Sequence, residues 1–131
     1  SRDTTEGMSA GKLFDEVLRN LLNDSAIKTS TMFGMRCAKI AGKAFVGLHT
    51  GRLIAKVGPI RAQQLLNSKK GEPFDPGNMG NPMRDWVMLA QPPNDLFPEE
   101  VISYWATVAE EAKQYVKNTT AGGKPIKKVV A

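Results

Sequence analysis

MRCAKIAGKAFVGLHTGRLIAKVGP, residues 35–59, decides how this chain folds. Two glycine-containing breaks, Gly42-Lys43 and Thr50-Gly51-Arg52, separate three runs of strand character at 35–41, 44–49 and 53–57. Connections this short join only antiparallel neighbours, so the three runs form a meander. Pairing through the first break sets Ala41 opposite Ala44, hence Cys37 near residue 48 and Lys39 near residue 46. Gly58-Pro59 ends the third run, and Pro59 suits the first turn of a helix. That helix is expected to run to residue 68 with Ile60, Leu65 and Leu66 inward.

Upstream, Ser9 is a candidate N-cap for a helix over 10–23. Leu13, Phe14, Val17, Leu18, Leu21 and Leu22 form an apolar stripe of helical period, which Asp24-Ser25 breaks. Downstream, three glycines and three prolines in 71–83 read as a loop that touches one short strand near Phe74. Residues 85–91 follow as a strand around Trp86-Val87-Met88-Leu89, ended by Pro92-Pro93. A helix over 98–117 opens on Pro98, with Glu99 and Glu100 on the positive end of its dipole. Its Val101, Trp105, Val108, Ala112 and Tyr115 share one face. Residues 1–9 read as a disordered N-terminal segment, 10–117 as one domain and 118–131 as a mobile basic tail. The predicted order is α-β-β-β-α-β(-β)-α, an α+β class chain with a two-layer antiparallel sheet covered by helices.

Charge is unevenly placed. The chain of 131 residues has a net charge of +5, yet 31–70 holds eight basic residues and no acidic one. Residues 71–117 carry an acidic excess of five. Either an anionic partner or internal neutralisation on folding accounts for such asymmetry, the second being the plainer reading. Apolar runs fall far short of the roughly 18 residues of a membrane span, and residues 1–9 lack the apolar core of a signal peptide. One cysteine, Cys37, forms no internal disulfide, which fits a reducing, cytoplasmic setting.

Met32-Phe33-Gly34, then Gly42-Lys43-Ala44-Phe45 and Gly51-Arg52-Leu53-Ile54-Ala55-Lys56-Val57, resemble the TfoX N-terminal domain family. The resemblance continues through Phe74, Pro82-Met83 and the Trp86-Val87 strand, over about residues 10–117. Met35 stands where a second glycine is usual after Met-Phe-Gly, and the chain has no room for the C-terminal domain of full-length TfoX proteins. What the resemblance implies is a secretion-chaperone-like α+β domain of a family of competence and transcription regulators. Met32, Phe33, Gly34, Gly42, Phe45, Gly51, Lys56 and Trp86 would be its structural motif residues.

No catalytic constellation emerges. Cys37 and His49, single residues of their kinds, could meet across the hairpin as a nucleophile–base pair, but a buried small hydrophobe beside a strand-end histidine is the favoured reading. Two such ligands do not make a structural zinc site. The glycine-rich 71–83 stretch lacks the Gly-Lys-Ser/Thr ending of a P-loop. Arg36, Lys39, Lys43, Arg52, Lys56 and Arg61 are the candidate anion or nucleic-acid contacts, with Lys124, Lys127 and Lys128 of the tail in support. Exposed aromatics for base stacking are scarce, since Phe33 and Phe45 are expected to serve the core. Strands 44–48 and 53–55 are apolar or small on both faces, so a face left uncovered by helices would be buried in a homodimer. The sequence thus predicts a non-enzymatic regulatory or protein-interaction module, without metal, cofactor or membrane partner. Direct nucleic-acid binding is the alternative.

Overall fold

Ser9 opens helix α1 (Ala10–Leu21), its side chain accepting a hydrogen bond from the Lys12 amide. Leu13, Phe14, Val17, Leu18 and Leu21 are buried, whereas Leu22 lies past the helix and is exposed. The computed structural model describes residues 9–32, 34–75, 80, 83–92 and 96–120. Within them the chain is α+β, with three helices and one open six-stranded antiparallel sheet. The expected segments 1–8 and 121–131, Phe33 and Pro82 lie outside the described residues.

Strand β1 (Ile27–Met32) is the element sequence reasoning missed. Asp24 turns the chain into it, its carboxylate accepting from the Ala26 amide at 3.0 Å and its carbonyl from the Ile27 amide at 3.0 Å. Among the described side chains of IKTSTM, Ile27 alone enters the core, and Lys28, Thr29, Ser30 and Thr31 give none of the apolar alternation by which strands are recognised. Strands β2 (Met35–Ile40), β3 (Lys43–His49) and β4 (Arg52–Lys56) form the expected meander. Ala41 and Gly42 both have positive φ, as do Thr50 and Gly51, which is the two-residue hairpin turn whose twist matches antiparallel strands.

Those turns correct the expected register. Ile40 pairs with Lys43 and Lys39 with Ala44; then a bulge at Phe45 lets Ala38 pair with Val46 and Cys37 with Gly47. The bulge turns both Phe45 and Val46 into the helix side, where each is fully buried. Both parities of β3 are therefore apolar without a second covering layer.

Helix α2 (Pro59–Asn67) follows, then β5 (Gly71–Pro73) and β6 (Trp86–Leu89), giving the sheet order β1-β2-β3-β4-β6-β5. Helix α2 buries Ala62 and Leu65, while Ile60, two positions from Ala62 and so on the opposite side, is exposed. Helix α3 (Pro98–Thr120) runs three residues further than expected, into the predicted tail. It packs across β2, β3 and β4 with α1 alongside, and α2 covers β5 and β6. Tyr115 is half-buried and donates to the Asp85 carboxylate at 3.1 Å. The Asp85 carbonyl accepts from Gly58, and a Cβ on Gly58 would lie 2.7 Å from the Tyr115 ring.

The sheet's outer face has its own small cluster, Ile54, Phe74 and Trp86, with Met35, Ala44, Met83 and Met88 packed against it. Phe74 sits 5.7 Å from the rings of both Trp86 and His49. Ile54, Phe74 and Trp86 are buried by the chain itself, and the four residues packed against them are partly buried.

Two substitutions test this geometry. Ala41→Gly removes the cost of a left-handed conformation and should raise the stability to urea by about 1 kcal/mol. Gly47→Ala should lower it by about 1–3 kcal/mol, because a Cβ there would lie 2.8 Å from the Arg36 carbonyl oxygen.

Candidate functional site

Strand register decides which basic side chains share a surface. Ile54 belongs to the outer cluster, so its same-parity neighbours Arg52 and Lys56 also face outward. On β2, Lys39 pairs with Ala44 of the same outer face, and on β1 Lys28 pairs directly with Lys39. Lys28 and Lys39 thus stand directly opposite each other on the outer face, Lys39 faces the small Ala44 of β3, and Lys56 emerges on the same face from β4. Neighbouring strands are about 4.8 Å apart, so Lys28 and Lys39 are close like charges. Among the described residues none of the three makes an ion pair. Lys43 is likewise without an ion pair among those residues, exposed beside the β2–β3 turn.

The three candidate arginines behave differently. Arg36 points to the helix side, stacks 5.3 Å over the Phe14 ring and pairs with Asp15 of α1. Arg52 donates to the Leu89 carbonyl at 2.8 Å and pairs with Glu72 at 3.2 Å. Arg61, on α2, pairs with Glu111 of α3 at 3.1 Å. The six candidates therefore do not act as one contact surface: the arginines fasten elements together, and the lysines remain without an ion pair among the described residues. Sequence reasoning misses Lys28 because it misses the strand; the one signal for it is a basic residue directly before a Thr-Ser-Thr run.

Cys37 and His49 share the outer face but are two pairs apart in register. His49 packs its ring edge-on against Phe74, and Cys37 is 1% exposed. Burial pushes the Cys37 thiol above its ordinary value, the nearby Lys39 ammonium opposing this more weakly. A thiol held protonated is a poor nucleophile. Among the described residues no group of three or more His, Cys, Asp or Glu is placed to hold a metal ion, and no helix is long and apolar enough to cross a membrane.

Of the motif residues, Met32 ends β1, Gly34 lies in the β1–β2 turn, Gly42 and Gly51 belong to the two following turns, and Phe45 is the bulge. Trp86 pairs with Lys56. Comparison with known proteins returns no matching family model, no matching curated protein and no matching solved structure.

Alkaline pH tests the packing around these groups. Cys37 is raised by burial, and so are Tyr104 and Tyr115; Glu111 adds to the rise at Tyr104 against Arg61, and Asp85 adds to it at Tyr115. Below their unfolded values, 9.0 for the thiol and 10.0 for the phenols, all three are protonated in both states and stability is undiminished. Above those values the unfolded chain ionises first, so stability falls as pH rises through the folded values. Urea titrations from pH 8 to 11 should show that fall beginning near pH 9. Cys37→Ala and Tyr115→Phe should each reduce its slope. Cys37 should resist an alkylating probe in the folded protein and react once urea unfolds it.

Proposed function

We propose that this domain is a non-enzymatic regulatory or protein-interaction module of the TfoX N-terminal type, with a secretion-chaperone-like fold. Its working surface is the outer sheet face around Lys28, Lys39 and Lys56. The observation that carries this reading is the Lys28–Lys39 cross-strand pair, two like charges directly opposite with no counter-charge among the described residues. Such a pair costs about 0.2–1 kcal/mol in the free protein, and an anionic group bound between the lysines offsets that cost. A local rule broken at a surface with no structural return marks a binding position. The burial of Cys37 and the packing of His49 on Phe74 support binding over chemistry. The order of the motif residues supports the TfoX resemblance, and with it a role in regulating transcription or competence through a protein partner.

Lys28→Glu separates structure from function. It converts a repulsive pair into an attractive one, so the free protein should gain a few tenths to about 1 kcal/mol against urea. The same change should weaken association with the protein that co-purifies from the native host. Cys37→Ala and His49→Ala should leave that association intact. Loss of the biological activity in a folded Cys37→Ala variant would sink the proposal and restore an enzymatic reading.

Direct nucleic-acid binding is the second reading, favoured by the same lysines. Its affinity for duplex DNA would fall steeply with salt, because each neutralised phosphate releases counterions. Replacing Lys39, Lys43 and Lys56 by Glu should then abolish binding and flatten the salt slope. Absence of measurable binding in low-salt buffer removes this reading.

A further inference from the structure

The two edges of the sheet are unlike. Strand β5 has three residues and ends on Pro73, and both shortness and proline blunt an edge against pairing. Strand β1 has six residues, no proline and no bulge in its pairing with β2. Its open side carries backbone groups in a regular order. Met32 faces Met35 across two intervening residues, the closing pair of a tight hairpin, in which the two residues bond each other. Alternation directs Ser30 and Lys28 toward β2 as well and turns the N–H and C=O of Thr29 and Thr31 outward. The Ile27 amide is taken by the Asp24 carbonyl, so the free sequence of donors begins at Thr29. Asp24 is itself tied to α3 through Lys113 at 3.7 Å, which holds the start of β1 in place.

We propose that the β1 edge takes up an extended acidic peptide segment of a protein partner as a seventh strand. The inference rests on the reading of this domain as an interaction module and names the partner's chemistry. Thr29 and Thr31 supply the main-chain hydrogen bonds, as in other cases of strand addition. Lys28 supplies the charge selection. Because Lys28 is bonded toward β2, it forms a non-hydrogen-bonded pair with the added strand, the arrangement in which facing side chains lie closest. A glutamate there meets Lys28, with Lys39 one strand further along the same row. A second copy of the chain fits less well, because β1 against β1 adds two more lysines to one continuous face. Phosphates of duplex nucleic acid accept hydrogen bonds but donate none, so they cannot also satisfy the outward carbonyls of Thr29 and Thr31.

The probe is a heptapeptide of alternating valine and glutamate, added to the full chain at low salt, with a valine–lysine peptide as control. Amide hydrogen exchange at Thr29 and Thr31 should slow roughly tenfold or more at saturation, while Lys28 and Ser30, already bonded to β2, change little. The lysine peptide should give no protection. Thr29→Pro removes an outward donor without touching the β1–β2 ladder and should weaken the acidic peptide at least tenfold or so. Lys28→Glu, which leaves the backbone intact, should weaken it roughly fivefold. Four results overturn the inference: peptide binding without protection of Thr29 and Thr31; equal binding by a folded Thr29→Pro variant; protection of both amides by self-association alone; and duplex DNA displacing the peptide from Lys28 and Lys39. If those amides stay exposed while the native partner still depends on Lys28, the strand-addition inference falls and the interaction-module reading stands.

Discussion

The bulge at Phe45 is the constraint around which the sheet is arranged. It places Phe45 and Val46 together under α3, and the helix layer then has two large fully buried side chains from the central strand of the meander. The cost falls on the next position. Gly47 must approach β2 so closely that a Cβ would meet the Arg36 carbonyl, Cys37 and Ile54 at once. Cys37, the residue facing it, is small for the same reason. The bulge therefore fixes the register of β2, and through β2 it fixes which face β1 shows to solvent. The position of Lys28 beside Lys39 is a consequence of core packing two strands away.

The legible parts of the fold were those with strong local chemistry. Glycine-marked turns and β-rich runs identified β2, β3 and β4; the apolar stripe identified α1; Pro98 with two glutamates identified the start of α3. Illegible parts had signals that are not local. Strand β1 carries one core side chain among those described and owes its existence to pairing with β2, and to a turn at Asp24 that the sequence marks only as a break. The register differs from that of a Gly42-Lys43 turn because Ala41, against its own preference, takes the left-handed position and shifts the turn to Ala41-Gly42. Hydrophobicity places Ile60 inward, although its helical angle to Ala62 puts it outside.

Charge followed a similar division. Internal neutralisation, the plainer expectation, holds for the arginines: Arg36, Arg52 and Arg61 each reach a carboxylate on another element. Guanidinium groups suit that work, being planar and able to bond a carboxylate and a carbonyl or ring at once. Arg52 does so with Glu72 and Leu89, and Arg36 with Asp15 and Phe14. Lys28, Lys39 and Lys56 project from the opposite side of the sheet to α1 and α3, so the glutamates of α3 are out of their reach. A net segment charge could not reveal this, because sign and sequence position do not say on which face a strand residue emerges.

The outer face is consequently two surfaces. Toward β4 and β6 it is apolar and closed by Phe74 and Met83 over Ile54 and Trp86. Toward β1 and β2 it presents Lys28, Ser30 and Lys39 beside an edge that no other strand of the described residues pairs with. Because the apolar half is already covered, association at this face gains little from hydrophobic burial and must draw on charge and main-chain hydrogen bonds. Both are weak when exposed, about 0.5–1.5 kcal/mol for a hydrogen bond and less for a surface ion pair, and the second is screened by salt. Association through a surface of this composition would be reversible and readily released, in keeping with the interaction module proposed above.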